Sequence, residues 1–214
     1  MEPGGPGRAT QSPTVAKTFE ILRAFQPGDQ HLGNKELVRR TGLPKATVSR
    51  LTADLVRLGY LRYSRELGTY ALGIALLSLA YPFLSGLSLR HVARPAMKEL
   101  ADAVGGQVSL GMRHRGDIIY IESVRSPQHI LSSPEIGAAI PILASAIGRA
   151  HLAALPAPML ESLLAELRES DPQGWSTYGH RVPEALEDYR QLGFTRSYGE
   201  IRTEIRSCGV ALRL

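Results

Sequence analysis

Hydrophobic positions along the chain follow two rhythms, and the first is helical. Val15, Phe19, Leu22 and Phe25 recur at helical spacing. Ser12-Pro13 suits the opening of that helix, as N-cap and first turn, and Pro27-Gly28 closes it. Leu37 and Val38 mark a short second helix with Lys35, Arg39 and Arg40 on its outside. In a third helix, Val48, Leu51, Leu55 and Leu58 share one face, Pro44 takes the first position, and Gly59 offers a left-handed cap. The rhythm then changes to period two. Leu61 and Tyr63 alternate with Arg62 and Ser64, Arg65-Glu66-Leu67-Gly68 turns, and Thr69-Tyr70-Ala71-Leu72 returns, which predicts a β-hairpin. Three short helices and a ribbon, with Gly42-Leu43-Pro44 between the second and third, form the pattern of a winged helix-turn-helix.

From Gly73 to Leu87 the chain is apolar on nearly every side, so a helix here must be covered, by its counterpart in another subunit or by another domain. Pro82 is expected to kink or end it. Leu89 to Val104 reads as a further helix with Val92, Met97, Leu100 and Val104 inward. Val108, Leu110 and Met112 alternate, His114-Arg115-Gly116-Asp117 turns, and Ile118 to Val124 forms the second arm of a hairpin. A polar loop, Ser126 to Gly137, precedes helices expected near Ser145–Leu155, Pro156–Glu169 and Val182–Leu192, with strands at Phe194–Tyr198 and Gly209–Leu214. This order predicts an α/β (α+β) chain in four parts. They are a disordered Gly/Pro-rich tail (1–11), the winged helix-turn-helix (12–74), a linker helix (75–88) and a mixed α/β domain (89–214).

Charge separates the same parts. Residues 1–74 hold 11 Lys/Arg and 6 Asp/Glu, whereas residues 75–214 hold 14 of each, so the whole net charge of +5 sits in the first third. A basic module joined to a neutral one points to a polyanion as partner of the first. One cysteine, Cys208, excludes an internal disulfide and fits a reducing compartment. The first residues lack the apolar core of a secretory signal, and the run Ala71–Leu84 is too short for a membrane span. A cytoplasmic protein without a membrane partner is expected.

The outward face of the third helix carries the candidate DNA contacts. Ala46 and Ala53 let the backbone approach base edges, while Lys45, Thr47, Ser49, Arg50 and Arg57 supply hydrogen bonds, arginine being the usual reader of guanine. Arg62 and Arg65 on the ribbon are placed to reach phosphate or minor groove. The rival reading is an amphipathic surface helix with a solvated polar face and a charged edge strand.

These motifs carry a family resemblance. VAKTFEILRAF, ELVRRTGLPKATVSRL, LVRLGYL and the Gly-x-Tyr-x-Leu-Gly at Gly68–Gly73 closely resemble the DNA-binding domain of IclR-family bacterial transcription regulators. LRHVARPAMKELADAVGG and IGAAIPILASAIGRAHLAALP resemble that family's GAF-like effector-binding domain. The resemblance implies a ligand-responsive regulator, expected to be a repressor, acting as a homodimer or dimer of dimers on a palindromic operator in double-stranded DNA, without a cofactor. It places a small-carboxylate effector around the segment Ala144–Arg149, with Ala144, Ser145, Ala146, Ile147 and Gly148 as candidates, and on the segment carrying Cys208, with Tyr198 on the strand before it. Arg206, two residues before Cys208, falls on the same side as Cys208 if that segment is extended. Helix N-termini favour carboxylates. Ser145 as a mere cap, Gly148 as a packing glycine, and Arg206 paired with Glu200 or Glu204 are the plainer alternatives. Family members usually run a few tens of residues past the position of Leu214, which predicts an unprotected strand edge there.

Two other functions are open to the sequence. Cys208 with a histidine is the only hint of a thiol enzyme, and nothing around it resembles an activated nucleophile. The six histidines show no metal-ligand spacing. The alternative within DNA binding is a constitutive dimer whose C-terminal domain only oligomerises.

Overall fold

The computed structural model describes residues 12–129 and 134–212. The expected tail (1–11), part of the polar loop and the last two residues of the expected final strand lie outside them. The chain divides into two compact units, Met1–Gly86 and Leu87–Leu214.

In the first unit, α1 (Pro13–Arg23), α2 (Asn34–Thr41) and α3 (Lys45–Arg57) enclose Ile21, Leu37, Leu43, Val48, Leu51 and Leu55. Strands β2 (Leu61–Ser64) and β3 (Thr69–Leu72) pair antiparallel, with Tyr63 opposite Tyr70 and their rings 5.1 Å apart. A two-residue strand, β1 (Leu32–Gly33), adds to β3 and gives a three-stranded wing in the order β1-β3-β2.

Local chemistry sets the ends of α3. Gly42 caps α2 with φ 67°, Leu43 is buried, and Pro44 is the N-cap of α3, one position earlier than expected. At the other end Gly59 has φ 79°, its N–H donates to Val56 O, and Tyr60 N–H donates to Leu55 O at 2.9 Å. This pair of bonds satisfies carbonyls that the last turn leaves free. Leu58 lies past that turn and is exposed, contrary to its expected place in the core. In α1 Ile21 fills the core, whereas Val15 and Phe19 face outward.

Gly73 closes the wing against the end of α3. Its N–H donates to Tyr60 O at 2.8 Å, and a Cβ there would lie 2.0 Å from Gly59 O. Backbone cannot give way as a flexible side chain does. Gly73→Ala is therefore expected to destabilise the first unit by about 1–3 kcal/mol. Thermal unfolding of the full chain, followed by far-ultraviolet circular dichroism, checks this.

Helix α4 (Ala75–Gly86) runs through Pro82 without ending there. None of its residues is buried, and Leu77, Leu79, Tyr81 and Phe83 are exposed, so the first unit does not itself supply the cover expected for this helix.

The second unit begins with α5 (Ser88–Val104), whose Met97 and Ala101 pack on Val124 and, less deeply, on Val108 and Leu110. Val92, Leu100 and Val104, expected inward, are exposed, because α5 carries apolar residues on two sides and the sheet takes the other one. Strands β4 (Gln107–His114), β5 (Asp117–Arg125) and β6 (Ala139–Pro141) form an antiparallel sheet with a register shift at Leu110/Gly111. Helices α6 (Ala146–Ala153), α7 (Ala157–Ser170), α8 (Pro172–Tyr178) and α9 (Val182–Leu192) follow, with a 3-10 turn at Gly179–Arg181. Their core joins Ile118, Ile142, Leu152, Leu163, Leu167 and Val182, with Trp175 half-buried against it. A separate ribbon pairs β7 (Thr195–Tyr198) with β8 (Arg206–Gly209). The last strand thus lies earlier than the expected Gly209–Leu214. Glycine at 209 is required, since a Cβ there would meet Ala146 backbone at 2.5 Å.

Candidate functional site

The exposed face of α3 assembles the first group of candidates. Lys45, Ala46, Ser49, Arg50 and Arg57 are exposed and Thr47 is half-buried, while Val48, Leu51, Thr52 and Leu55 point into the core. Thr52 returns its hydroxyl to Val48 O at 2.9 Å and so leaves no buried donor unpaired. Ser49 Oγ accepts from Asn34 Nδ2 at 2.9 Å, which ties α3 to the start of α2 and leaves the Ser49 proton free to donate outward. Arg57 pairs with Asp54 one turn back at 3.1 Å, so its charge is partly neutralised. Arg62 and Arg65 stand exposed on the wing.

Behind this face an ionic cluster fixes α2. Arg40 donates to Glu36 at 2.6 Å, to Ala24 O at 2.8 Å and to Asp29. It is therefore a structural clasp, half-buried and not on the outside of α2 as its polar position suggested. Arg39 and then Arg40 hold the Glu36 carboxyl down to about 2. Lys35 remains exposed.

In the second unit the eight effector candidates fall into two groups. Ala144, Ser145, Ala146 and Gly148 are buried around the start of α6, with Ile147 half-buried. Ser145 is the N-cap and accepts from Gly148 N–H at 3.1 Å. Gly148 crosses Ile142 so closely that a Cβ would lie 2.2 Å from its carbonyl oxygen. The plainer roles of Ser145 and Gly148 are thus real ones. Across the ribbon, Tyr198 opposes Arg206 and Arg196 opposes Cys208, which puts these four on one face. The other face turns to α6, where Thr195 donates to Ala146 O at 2.6 Å and Ser197 Oγ lies 3.2 Å from Ala144 O. Tyr198, Arg206 and Cys208 are exposed and separated from Ala144–Gly148 by the ribbon backbone. The expected pairing of Arg206 is also taken elsewhere: Glu200 goes to Arg149 and Glu204 to Arg202.

What joins the two groups is Arg149, which closes the segment onto which the family resemblance places the pocket but is not itself one of the eight candidates. Only 3% of its side chain is exposed. Nε donates to Leu143 O and Nη1 to Arg196 O, both at 2.9 Å, and Nη1 and Nη2 each donate to Glu200 Oε1 at 3.1 Å. Glu200 also accepts from Ser197 Oγ at 2.5 Å. Burial pushes the Glu200 carboxyl up, but the hydrogen bonds from Ser197 and Arg149 outweigh it and leave it below the usual range. A small open cleft of about 50 Å³ lies over this pair, lined also by Arg181, Glu184, Ala185, Asp188, Arg196 and Tyr198. One arginine within the small-residue run Ser-Ala-Ile-Gly-Arg-Ala was the available signal.

Comparison with known proteins supplies the family. The IclR helix-turn-helix domain matches residues 14–65, and the C-terminal domain of the bacterial transcriptional regulator IclR matches residues 82–213. The chain belongs to the IclR family. It is 32% identical to the HTH-type transcriptional regulator TsaQ1/TsaQ2 of Comamonas testosteroni over 93% of this chain and 72% of that one. The crystal structure of an IclR-family transcriptional regulator from Brucella abortus aligns with a TM-score of 0.80 and 38% identity, over 99% of this chain and 80% of that one. An IclR homologue of Microbacterium hydrocarbonoxydans complexed with 4-hydroxybenzoate shares the fold, with a TM-score of 0.72 at 22% identity, over 94% of this chain and 83% of that one. Members of the IclR family among these relatives are transcriptional regulators, not enzymes, and α3 is the second helix of a DNA-binding helix-turn-helix. Among the described residues, no group of three or more His, Cys, Asp or Glu is placed to hold a metal, and no helix is long and apolar enough to cross a membrane.

Proposed function

We propose that this IclR-family protein is a repressor that binds a palindromic operator as a homodimer or dimer of dimers and responds to a small organic acid. The observation that carries the DNA part is the exposed α3 face of Lys45, Ala46, Ser49 and Arg50, with Thr47 at its margin. Arg57, Arg62 and Arg65 add backbone contacts around it. The uncovered apolar residues of α4, with Val15 and Phe19 on α1, favour a second copy as partner of the first unit. For the acid, the second unit offers a buried arginine beside the start of α6, and the Microbacterium homologue complexed with 4-hydroxybenzoate supplies a precedent in the same fold.

Fluorescence anisotropy of labelled duplex from the region upstream of the protein's own gene tests both parts. Log affinity is expected to fall linearly with log salt concentration, and one of a panel of aliphatic and aromatic carboxylates is expected to shift it. Salt-independent binding would count against the DNA face. Indifference to every acid would favour the second reading, a constitutive dimer whose second unit only oligomerises, which the prior occupation of Arg149 by Glu200 also supports.

A further inference from the structure

We propose that Arg149 is the carboxylate receptor of the second unit and that Glu200 is a tethered stand-in, occupying the place a small monocarboxylate takes from the cleft. The proposal rests on the acid-responsive reading above and names its site. Arg149 is held as a rigid cation by the carbonyls of Leu143 and Arg196, which leaves the edge carrying Nη1 and Nη2 directed at one acceptor. That acceptor is a carboxylate oxygen 3.1 Å from both nitrogens, and the second carboxylate oxygen takes the Ser197 hydroxyl. Charge-assisted contacts of this kind suit any carboxylate, whether or not a chain carries it.

Three further observations favour exchange. The cleft opens directly over the pair, so an acid from solvent reaches Arg149 once Glu200 leaves. Its charged lining is balanced, Arg149, Arg181 and Arg196 against Glu184, Asp188 and Glu200. Departure of Glu200 therefore uncovers one positive charge, which a monoanion neutralises and a dianion overshoots. Finally, Glu200 sits on a turn that holds little of itself in the core: Gly199 has φ 74°, and Ile201, Thr203 and Glu204 are exposed. Its movement is opposed by the Tyr178 hydroxyl donating to Glu200 O at 3.1 Å and by Gly199 N–H donating to Ile205 O at 2.9 Å across the turn. Exposed Tyr198 at the rim gives an aryl acid a surface that acetate does not use.

The test titrates acetate and benzoate, with chloride as control at constant ionic strength, into the full-length chain and its Glu200→Gln and Glu200→Ala variants. Trp175 fluorescence reports the thermal midpoint. Glu200→Gln keeps the side-chain shape and an acceptor for Arg149, which guards against loss of the fold. Removal of the internal competitor is expected to tighten acid binding by about tenfold or more in Glu200→Ala, with Glu200→Gln between it and the wild type. Benzoate is expected to bind more tightly than acetate. Equal affinities in all three proteins, an equal response to chloride, or no binding to any of them overturns the proposal. Operator affinity measured in parallel separates the two claims. Tighter acid binding without any effect on operator keeps the site and removes the regulatory reading. An acid-responsive operator complex with affinities blind to residue 200 keeps the regulation and removes the site.

Discussion

Replacing Arg149 with methionine is expected to lower the stability of the second unit by about 3–5 kcal/mol, the usual cost of removing one partner of a buried ion pair. The substitution nearly conserves volume, so the loss comes from polar groups and not from a cavity. Glu200 keeps only Ser197 as a side-chain partner, and the carbonyls of Leu143 and Arg196 lose their guanidinium donor inside the fold. Arg149→Lys keeps the charge but offers no planar fork, and its loss is expected to fall between methionine and wild type. Thermal unfolding followed at Trp175, which packs in the same unit, is expected to show a midpoint drop on the order of 10–20 °C for Arg149→Met. A drop within the few tenths of a kcal/mol of a surface substitution would mean that the pair contributes nothing.

Arg50→Ala is expected to weaken specific operator binding by about 1–3 kcal/mol per half-site, roughly 5- to 150-fold, and twice that free energy in a dimeric complex. Arg50 is exposed on the outer face of α3, and the core contacts of that helix run through Val48, Leu51 and Leu55 on the other side. The variant should therefore fold as the wild type does, so the loss lies in DNA contact. Binding to a scrambled duplex is expected to change far less. An equal loss on both duplexes would make Arg50 a phosphate contact that positions the helix without reading sequence.

The parts legible in the sequence are those whose signal is local. Helix α9 was readable to the residue because apolar spacing ends at Gly193, whose φ of 79° no β-branched side chain tolerates easily. The turn around Gly42 and the cap at Gly59 announced α3 for the same reason. Elements fixed by tertiary partners were not legible. Strand β1 has two residues and exists through its pairing with β3. Helix α8 has a polar sequence, and forms because Asp171 caps Gly174 N–H and Trp175 packs on the core. Strand β8 is polar Arg-Ser-Cys-Gly, so the apolar run after it attracted the strand assignment instead. In α1 and α5 the expected face holds only in part: Leu22, Phe25 and Met97 pack on their cores, whereas Val15, Phe19, Val92, Leu100 and Val104 are exposed, since both helices carry more apolar surface than one core covers.

The candidate sites divide in the same way. The candidate DNA-binding face needed only the helical wheel of α3 and the helix before it. The acid site depends on Arg149 meeting Glu200, and nothing local marks two residues 51 apart as partners. Tyr198, Arg206 and Cys208 share a face because of strand register, which the sequence placed too late in the chain.

The most direct test of the central claim is sequence selection from a randomised pool of double-stranded DNA by the full-length chain. A DNA-reading face on α3, presented twice by a symmetric dimer, predicts enrichment of an inverted repeat whose half-sites are read through Arg50 and its neighbours. A pool that emerges with no sequence enriched over its input would contradict it.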